Sequence, residues 1–269
     1  MLECVANVSE GQDPQILQAL QDAAGPQVLD LHIDPDHHRS VFTLTGELAV
    51  RRLTSAAVNL IDIATHVGAH PRLGAVDVVP FVPLLGSTMN DAVAARNNFA
   101  TWAADELHVP CFFYGPIHES GSVSAQRSLP YVRKNAWTSL VPDIGPRRPH
   151  PTAGAICVGA RQLLVAYNIF LPTNNMDLAR RIVKSIRGPG IRTLAFLVDG
   201  KAQISMNLVD LDLVGIADAY DRVAIYTPIE RAELVGLIPR SALDSCPEDR
   251  WLQLDIGVNK TIEGRLDKL

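Results

Sequence analysis

Residues Val76 to Val82 form an apolar run interrupted only by Asp77 and Pro80. Such a run reads as a strand buried on both faces, or as one with a neighbour beside it in the sheet. Elements must then be layered over it, as in a layered sheet fold. Pro80 and Pro83 each delete a ladder donor, so the strand is expected to bend or fray there. Asp77 is costly in these surroundings unless it is paired. Arg39 and Arg72 are its candidate partners, and His70 is an imidazole that it could orient.

Elements of both kinds flank this run. Cys4 to Val8 reads as a first strand. Asp13-Pro14 opens a helix with Ile16, Leu17, Leu20 and Ala24 on its apolar face. Val28 to Ile33 and Val41 to Thr45 are strands close enough to pair antiparallel. Glu47 to His66 has the pattern of one long helix, buried through Leu53, Ala56, Ala57, Leu60 and Ile63, with Pro71 as its stop. Thr88 to Leu107 is a second long helix, and Pro110 to Tyr114 a strand. Gly115 to Pro142 has no clear period and reads as a surface excursion or as a flap over the site. Leu163 to Leu171 restarts a strand. Asn174 or Asn175 caps a helix through Ile186, and Asp199-Gly200 marks a hairpin. The segment from Asp249 onward is partly helical. The expected class is α+β in two subdomains, 1–159 and 160–269, the second repeating the element order of the first.

The 269 residues are 47% hydrophobic and 20% charged, the composition of a globular protein. A net charge of −5 gives no global attraction to nucleic acid or an anionic membrane. The cysteines are scattered without a C-x-x-C, as for buried thiols in a reducing compartment. Neither a leader-like N-terminus nor a membrane-spanning apolar run is present, so the expectation is a cytoplasmic protein.

The chemistry concentrates in the loop before the apolar run. His70, between Gly68 and Gly74 and beside Pro71, Arg72 and Asp77, is the candidate general acid–base, because histidine titrates near neutral pH. His66 and His70 would share one face of a continuous helix, as metal ligands need. Gly68 and Pro71 oppose that helix, and no Glu follows His66. Even with His37 and His38 as further donors, metal binding is the weaker reading. His66 reads instead as a helix C-terminal histidine, favourable against the dipole. Arg39 leads a strand, either as a surface ion pair or as a carboxylate clamp.

A second candidate segment runs Gly145-Pro146-Arg147-Arg148-Pro149-His150-Pro151-Thr152-Ala153-Gly154. It lacks the G-K-[ST] of a P-loop. Basic, Pro-rigid and Gly-bent, it suits a multi-carboxylate or heteroaromatic ligand, or serves as a linker. There is no G-x-S-x-G and no reactive-cysteine context, so covalent nucleophilic catalysis is unsupported.

Four motifs in order carry a resemblance: Cys4-Val5-Ala6-Asn7-Val8-Ser9-Glu10-Gly11, Arg39-Ser40-Val41-Phe42-Thr43, His70-Pro71-Arg72-Leu73-Gly74-Ala75-Val76-Asp77-Val78 and His150-Pro151-Thr152-Ala153-Gly154. Together they resemble the formiminotransferase family over nearly the whole chain, with no cyclodeaminase half. The resemblance implies two ferredoxin-like subdomains, each a mixed β-sheet with helices on its outer face, and a folate tunnel between them. It implies transfer of the formimidoyl group of N-formimidoyl-L-glutamate to N5 of tetrahydrofolate, a step of histidine breakdown, with tetrahydrofolate as co-substrate and no metal. It further implies a homodimer, with neither nucleic acid nor membrane as partner. By position, the family's catalytic histidine falls on His70 and its folate segment on Gly145 to Gly154. Arg39, Arg72, Asp77 and His38 are the supporting or substrate-binding candidates. Two positions depart from the family pattern: Ala69 stands where members carry a glutamate, and His38 where they carry an asparagine. A paralogue using another formyl or formimidoyl donor, and a non-catalytic folate-binding protein, are the alternatives.

Overall fold

The computed structural model describes residues 1–68, 72–117 and 125–268. The chain divides into two compact units, Met1–Gln162 and Leu163–Leu269. Unit one opens with β1 (Leu2–Val8), α1 (Pro14–Ala24), β2 (Val28–Asp34), β3 (Arg39–Thr45), α2 (Glu47–Leu60) and β4 (Val76–Pro83). It continues with α3 (Met89–Leu107), β5 (Cys111–Ile117), β6 (Ala125–Arg127), α4 (Leu129–Asn135) and β7 (Ile156–Ala160). The strands make one mixed sheet in the order β2-β3-β1-β4-β7-β5-β6.

The apolar run is the middle of this sheet. β4 lies antiparallel to β1 and parallel to β7, and every residue from Val76 to Val82 is buried. On one face, Phe81 and Val79 join Leu20, Leu53 and Phe99 of α1, α2 and α3. On the other, Val78 joins Phe112, Tyr114 and Val132 of α4. Pro80 does not fray the strand as expected. The β1–β4 register is the same on both sides of it, Cys4 opposite Phe81 and Asn7 opposite Val78, and the ladder skips only Val5 and Ala6. One missing donor is tolerated because β7 holds the other edge, with Gly159 opposite Pro80.

Three expectations need correction. The helix expected to reach His66 ends at Leu60, with Ile61 already extended. Asp62 competes with the helix: its carboxylate accepts from Ala64 N–H at 2.9 Å and its carbonyl from the Thr65 hydroxyl at 3.2 Å. Leu60 is accordingly exposed instead of core. Pro71, the expected stop, lies outside the described residues. No element was expected between Gly154 and Leu163, yet a strand, β7, lies there, central in the sheet and buried throughout. Finally, the part of the 115–142 excursion that is described is packed: β6 pairs with β5, α4 buries Val132, and Arg127 pairs with Asp143 at 2.8 Å. Residues 118–124 of the excursion lie outside the described residues.

Unit two contains β8 (Val165–Phe170), α5 (Met176–Ile186), β9 (Ile191–Val198), β10 (Lys201–Leu208), α6 (Ile216–Ala224) and β11 (Arg231–Val235), followed by α7 (Arg240–Asp244) and α8 (Ile262–Leu266). Its sheet runs β11-β8-β10-β9, antiparallel throughout. Asn175 caps α5 by accepting from Leu178 N–H at 3.0 Å. Ala179, Ile182, Val183 and Ile186 follow at helical spacing and are buried on Tyr167, Ile169 and Ile204. Asp199 and Gly200 both take positive φ, 47° and 68°, the backbone of a type I′ hairpin between β9 and β10. Strands β8, β9, β10 and β11 lie in the same relative order as β1, β2, β3 and β4. Each set is wound β-α-β-β-α-β.

Candidate active site

A bulge in β4 sets up the site. Val8 pairs with Val76 and Asn7 with Val78, so Asp77 is the extra residue on its strand. Bulges re-aim side chains and concentrate beside active sites. Asp77 is 2% exposed. One carboxylate oxygen accepts from Leu73 N–H at 2.8 Å, and the other is in contact with the Arg133 guanidinium of α4. Arg133, which sequence reasoning did not single out, is thus the ion-pair partner of Asp77, while the expected Arg39 and Arg72 act on that carboxylate only as nearby charges. It lay unnoticed because a seven-residue helix inside an aperiodic stretch gives little local signal.

The loop before β4 is clamped to the Gly145–Gly154 segment. Ala75 N–H donates to Ala153 O at 3.0 Å, Ala155 N–H to Leu73 O at 3.0 Å, and Ile63 N–H to Thr152 O at 2.7 Å. His150 and Gly154 exchange backbone hydrogen bonds at 2.8 and 3.0 Å, and the His150 Nδ1 accepts from Ala153 N–H at 3.0 Å. The imidazole therefore ties its own loop. Ile63, His66, Val67, Gly68, Arg72, Leu73, Pro149, His150, Pro151 and Gly154 line a cleft of about 590 Å³ between these two loops. Of the second segment, Arg147 and Arg148 are exposed and absent from this lining, and Ala153 is buried beneath it.

One wall of the cleft is basic. The Arg72 guanidinium donates to the carbonyls of His37 and His38 at 3.3 and 3.4 Å and lies against the His66 imidazole, 3.0 Å from Nε2. Burial, then the charges of Arg72 and His38, pushes the His66 pKa down to about 4, so His66 is neutral at pH 7. It is not the helix-terminal histidine expected, since α2 stops before it. The His38 ring faces His66 with centroids 3.9 Å apart. Its Nδ1 accepts from Gly11 N–H at 3.2 Å, and the buried Glu10 carboxylate lies 3.5 Å away. Glu10 itself accepts from Gly11, Gln12 and Asp13 N–H at 2.6 to 2.9 Å. Burial also lowers the Arg39 pKa to about 10, with Asp77 opposing the shift. Arg39 donates to the Asn7 side chain of β1. His70 and Ala69 lie outside the described residues. Among the described residues, no group of three or more His, Cys, Asp or Glu is arranged to hold a metal ion, and no helix is long and apolar enough to cross a membrane.

Residues 1–161 match the family model described as the formiminotransferase domain, N-terminal subdomain. The glutamate formimidoyltransferase of Streptococcus pyogenes serotype M1 is 34% identical, covering 95% of this chain and 94% of its own length. That of Thermoplasma acidophilum is 33% identical over 90% of this chain and 89% of its own. The formimidoyltransferase-cyclodeaminase of Rattus norvegicus is 32% identical over 90% of this chain, which spans 51% of that longer protein. The motifs that wall the cleft and the similarity along both units agree: the chain belongs to the formiminotransferase family.

Proposed function

We propose that this protein is a glutamate formimidoyltransferase, moving the formimidoyl group of N-formimidoyl-L-glutamate to N5 of tetrahydrofolate. The observation that carries the reading is the cleft: the loop ending in Arg72-Leu73-Gly74 and the loop His150–Gly154 form its two walls, locked together by backbone hydrogen bonds. Its volume lies in the ~300–1,000 Å³ range of small-molecule sites. A rigid, partly apolar wall of prolines facing a guanidinium suits a flat heteroaromatic ring on one side and a carboxylate on the other.

His70 is the acid–base. Support comes from its chain neighbours, since Gly68 and Arg72 both line the cleft. The transfer requires one proton to leave N5 and one to reach the departing glutamate nitrogen. His70 takes the first and returns it as the second, a contribution worth ~10²–10⁴-fold. Positioning of two substrates supplies the remainder. Arg72, with the neutral His66 beside it, holds a substrate carboxylate. Asp77 fixes the loop, and Arg39, bound to Asn7, keeps β1 and β3 in place beneath it. Pro149, His150 and Pro151, within the Gly145–Gly154 segment, face the folate.

The finer architecture follows the same reading. Two ferredoxin-like subdomains, 1–159 and 160–269, are supported by the β-α-β-β-α-β order and shared strand order of the units. A folate tunnel between sheets, a homodimer and a cytoplasmic location belong to this proposal. The test is turnover of N-formimidoyl-L-glutamate with tetrahydrofolate, in which each transfer to N5 releases one glutamate and no ammonia. Turnover only with another formyl or formimidoyl donor identifies a paralogue. Folate binding without any turnover overturns the enzyme reading.

A further inference from the structure

We propose that Arg133 of α4 is a positioning residue that sets the Arg72–Gly74 wall of the cleft through Asp77. The inference rests on the reading of that cleft as the substrate site. The effect of Arg133 passes through one buried carboxylate. Asp77 is 2% exposed, bulged out of the β1–β4 ladder, and divides its two oxygens between Arg133 and Leu73 N–H. A buried carboxylate is costly unless it is paired, and a charge-assisted acceptor makes the stronger hydrogen bond to a backbone N–H. Arg133 supplies the partner charge and thereby holds Leu73. Leu73 in turn accepts from Ala155 N–H at 3.0 Å, so both loops are keyed to the same pair.

The sequence order of these parts gives the pair a wider meaning. α4 lies in the part of the chain between β5 and β7, packed through Val132 on the sheet face opposite α1, α2 and α3. Any displacement of α4 therefore withdraws the charge from Asp77 and loosens the wall that carries Arg72. The Arg133 side chain is one-fifth exposed, so a lysine can reach the same carboxylate from the solvent side.

The experiment compares Arg133→Met, Arg133→Lys and the neighbouring exposed-charge control Lys134→Met in the full chain. Hydrogen exchange of the Leu73 amide is read first, because it needs no substrate. Arg133→Met speeds that exchange selectively, Arg133→Lys restores most of the protection, and Lys134→Met leaves it unchanged. In steady-state kinetics Arg133→Met raises KM for the donor by about tenfold with kcat within a few-fold, the pattern of lost binding alignment. A merely structural role lowers the amount of active protein and leaves KM where it was. Unaltered Leu73 exchange in folded Arg133→Met overturns the inference, as does an unaltered KM in an active enzyme. If the wild-type protein turns over no donor, the functional reading fails, and Leu73 exchange alone decides the role of Arg133.

Discussion

Gly74 and Gly154 lie so close that neither has room for a side chain. A Cβ on Gly154 falls 2.2 Å from Leu73 O and 3.0 Å from the Gly74 Cα, and one on Gly74 falls 2.3 Å from Ala155 O. The two loops that wall the cleft therefore meet backbone to backbone, with an isolated bridge between these glycines.

Replacing Gly154 tests that contact. Gly154 also has φ +68°, the left-handed region. The backbone conformation costs an L-residue ~1–2 kcal/mol, and displacing packed neighbours a further ~1–3 kcal/mol. Gly154→Ala should lower stability by roughly 2–5 kcal/mol in denaturant unfolding and weaken ligand binding in the cleft. A neutral substitution would show that the loops are not tightly apposed.

The pH dependence of stability should carry the signature of His66. Its folded pKa is held near 4, against 6.5 for the free side chain. Between those values the unfolded chain binds a proton that the folded protein does not. Stability attributable to His66 is thus complete above pH 6.5 and is lost as pH falls towards 4. His66→Gln should flatten the unfolding free energy in that window relative to wild type. Parallel curves for the two proteins would mean that His66 titrates normally.

His38 has φ +48°, in the left-handed region where asparagine, the residue that the family resemblance implies at this position, is also common. Both residue types are enriched in left-handed backbone, so the substitution preserves the turn while adding a ring against His66. His38→Asn should keep the fold and remove one of the charges that depress His66. In an NMR titration the His66 resonance should then shift at a higher pH than in wild type. The same variant, assayed with alternative donors, reports whether the second imidazole selects the substrate.

His70→Ala should retain the fold and lose ~10²–10⁴-fold in formimidoyl transfer. The loss should fall on kcat, with tetrahydrofolate binding little changed. Undiminished transfer in folded protein would remove His70 from the mechanism.

Local patterns made several parts of this protein legible from sequence. Asp13-Pro14 caps α1, Asn175 caps α5, and Asp199-Gly200 turns the β9–β10 hairpin, because each depends on residues a few positions apart. The burial of β4 could be read from Val76 to Val82 for the same reason. The family motifs likewise named the two loops of the cleft. Other features depend on partners distant in sequence. β7 was hidden in a Gly/Pro-rich stretch, since its strand character comes from lying between β4 and β5. The end of α2 at Leu60 was decided by Asp62 and by Ile63 reaching Thr152, against a helical periodicity that continues to His66. By itself, then, the sequence determined the class of elements and offered candidates for the chemistry. Only the tertiary structure decided that Asp77 belongs to Arg133, fifty-six residues away, and that Gly74 meets Gly154. A buried charge and a close backbone approach are set by long-range packing, which no local pattern encodes.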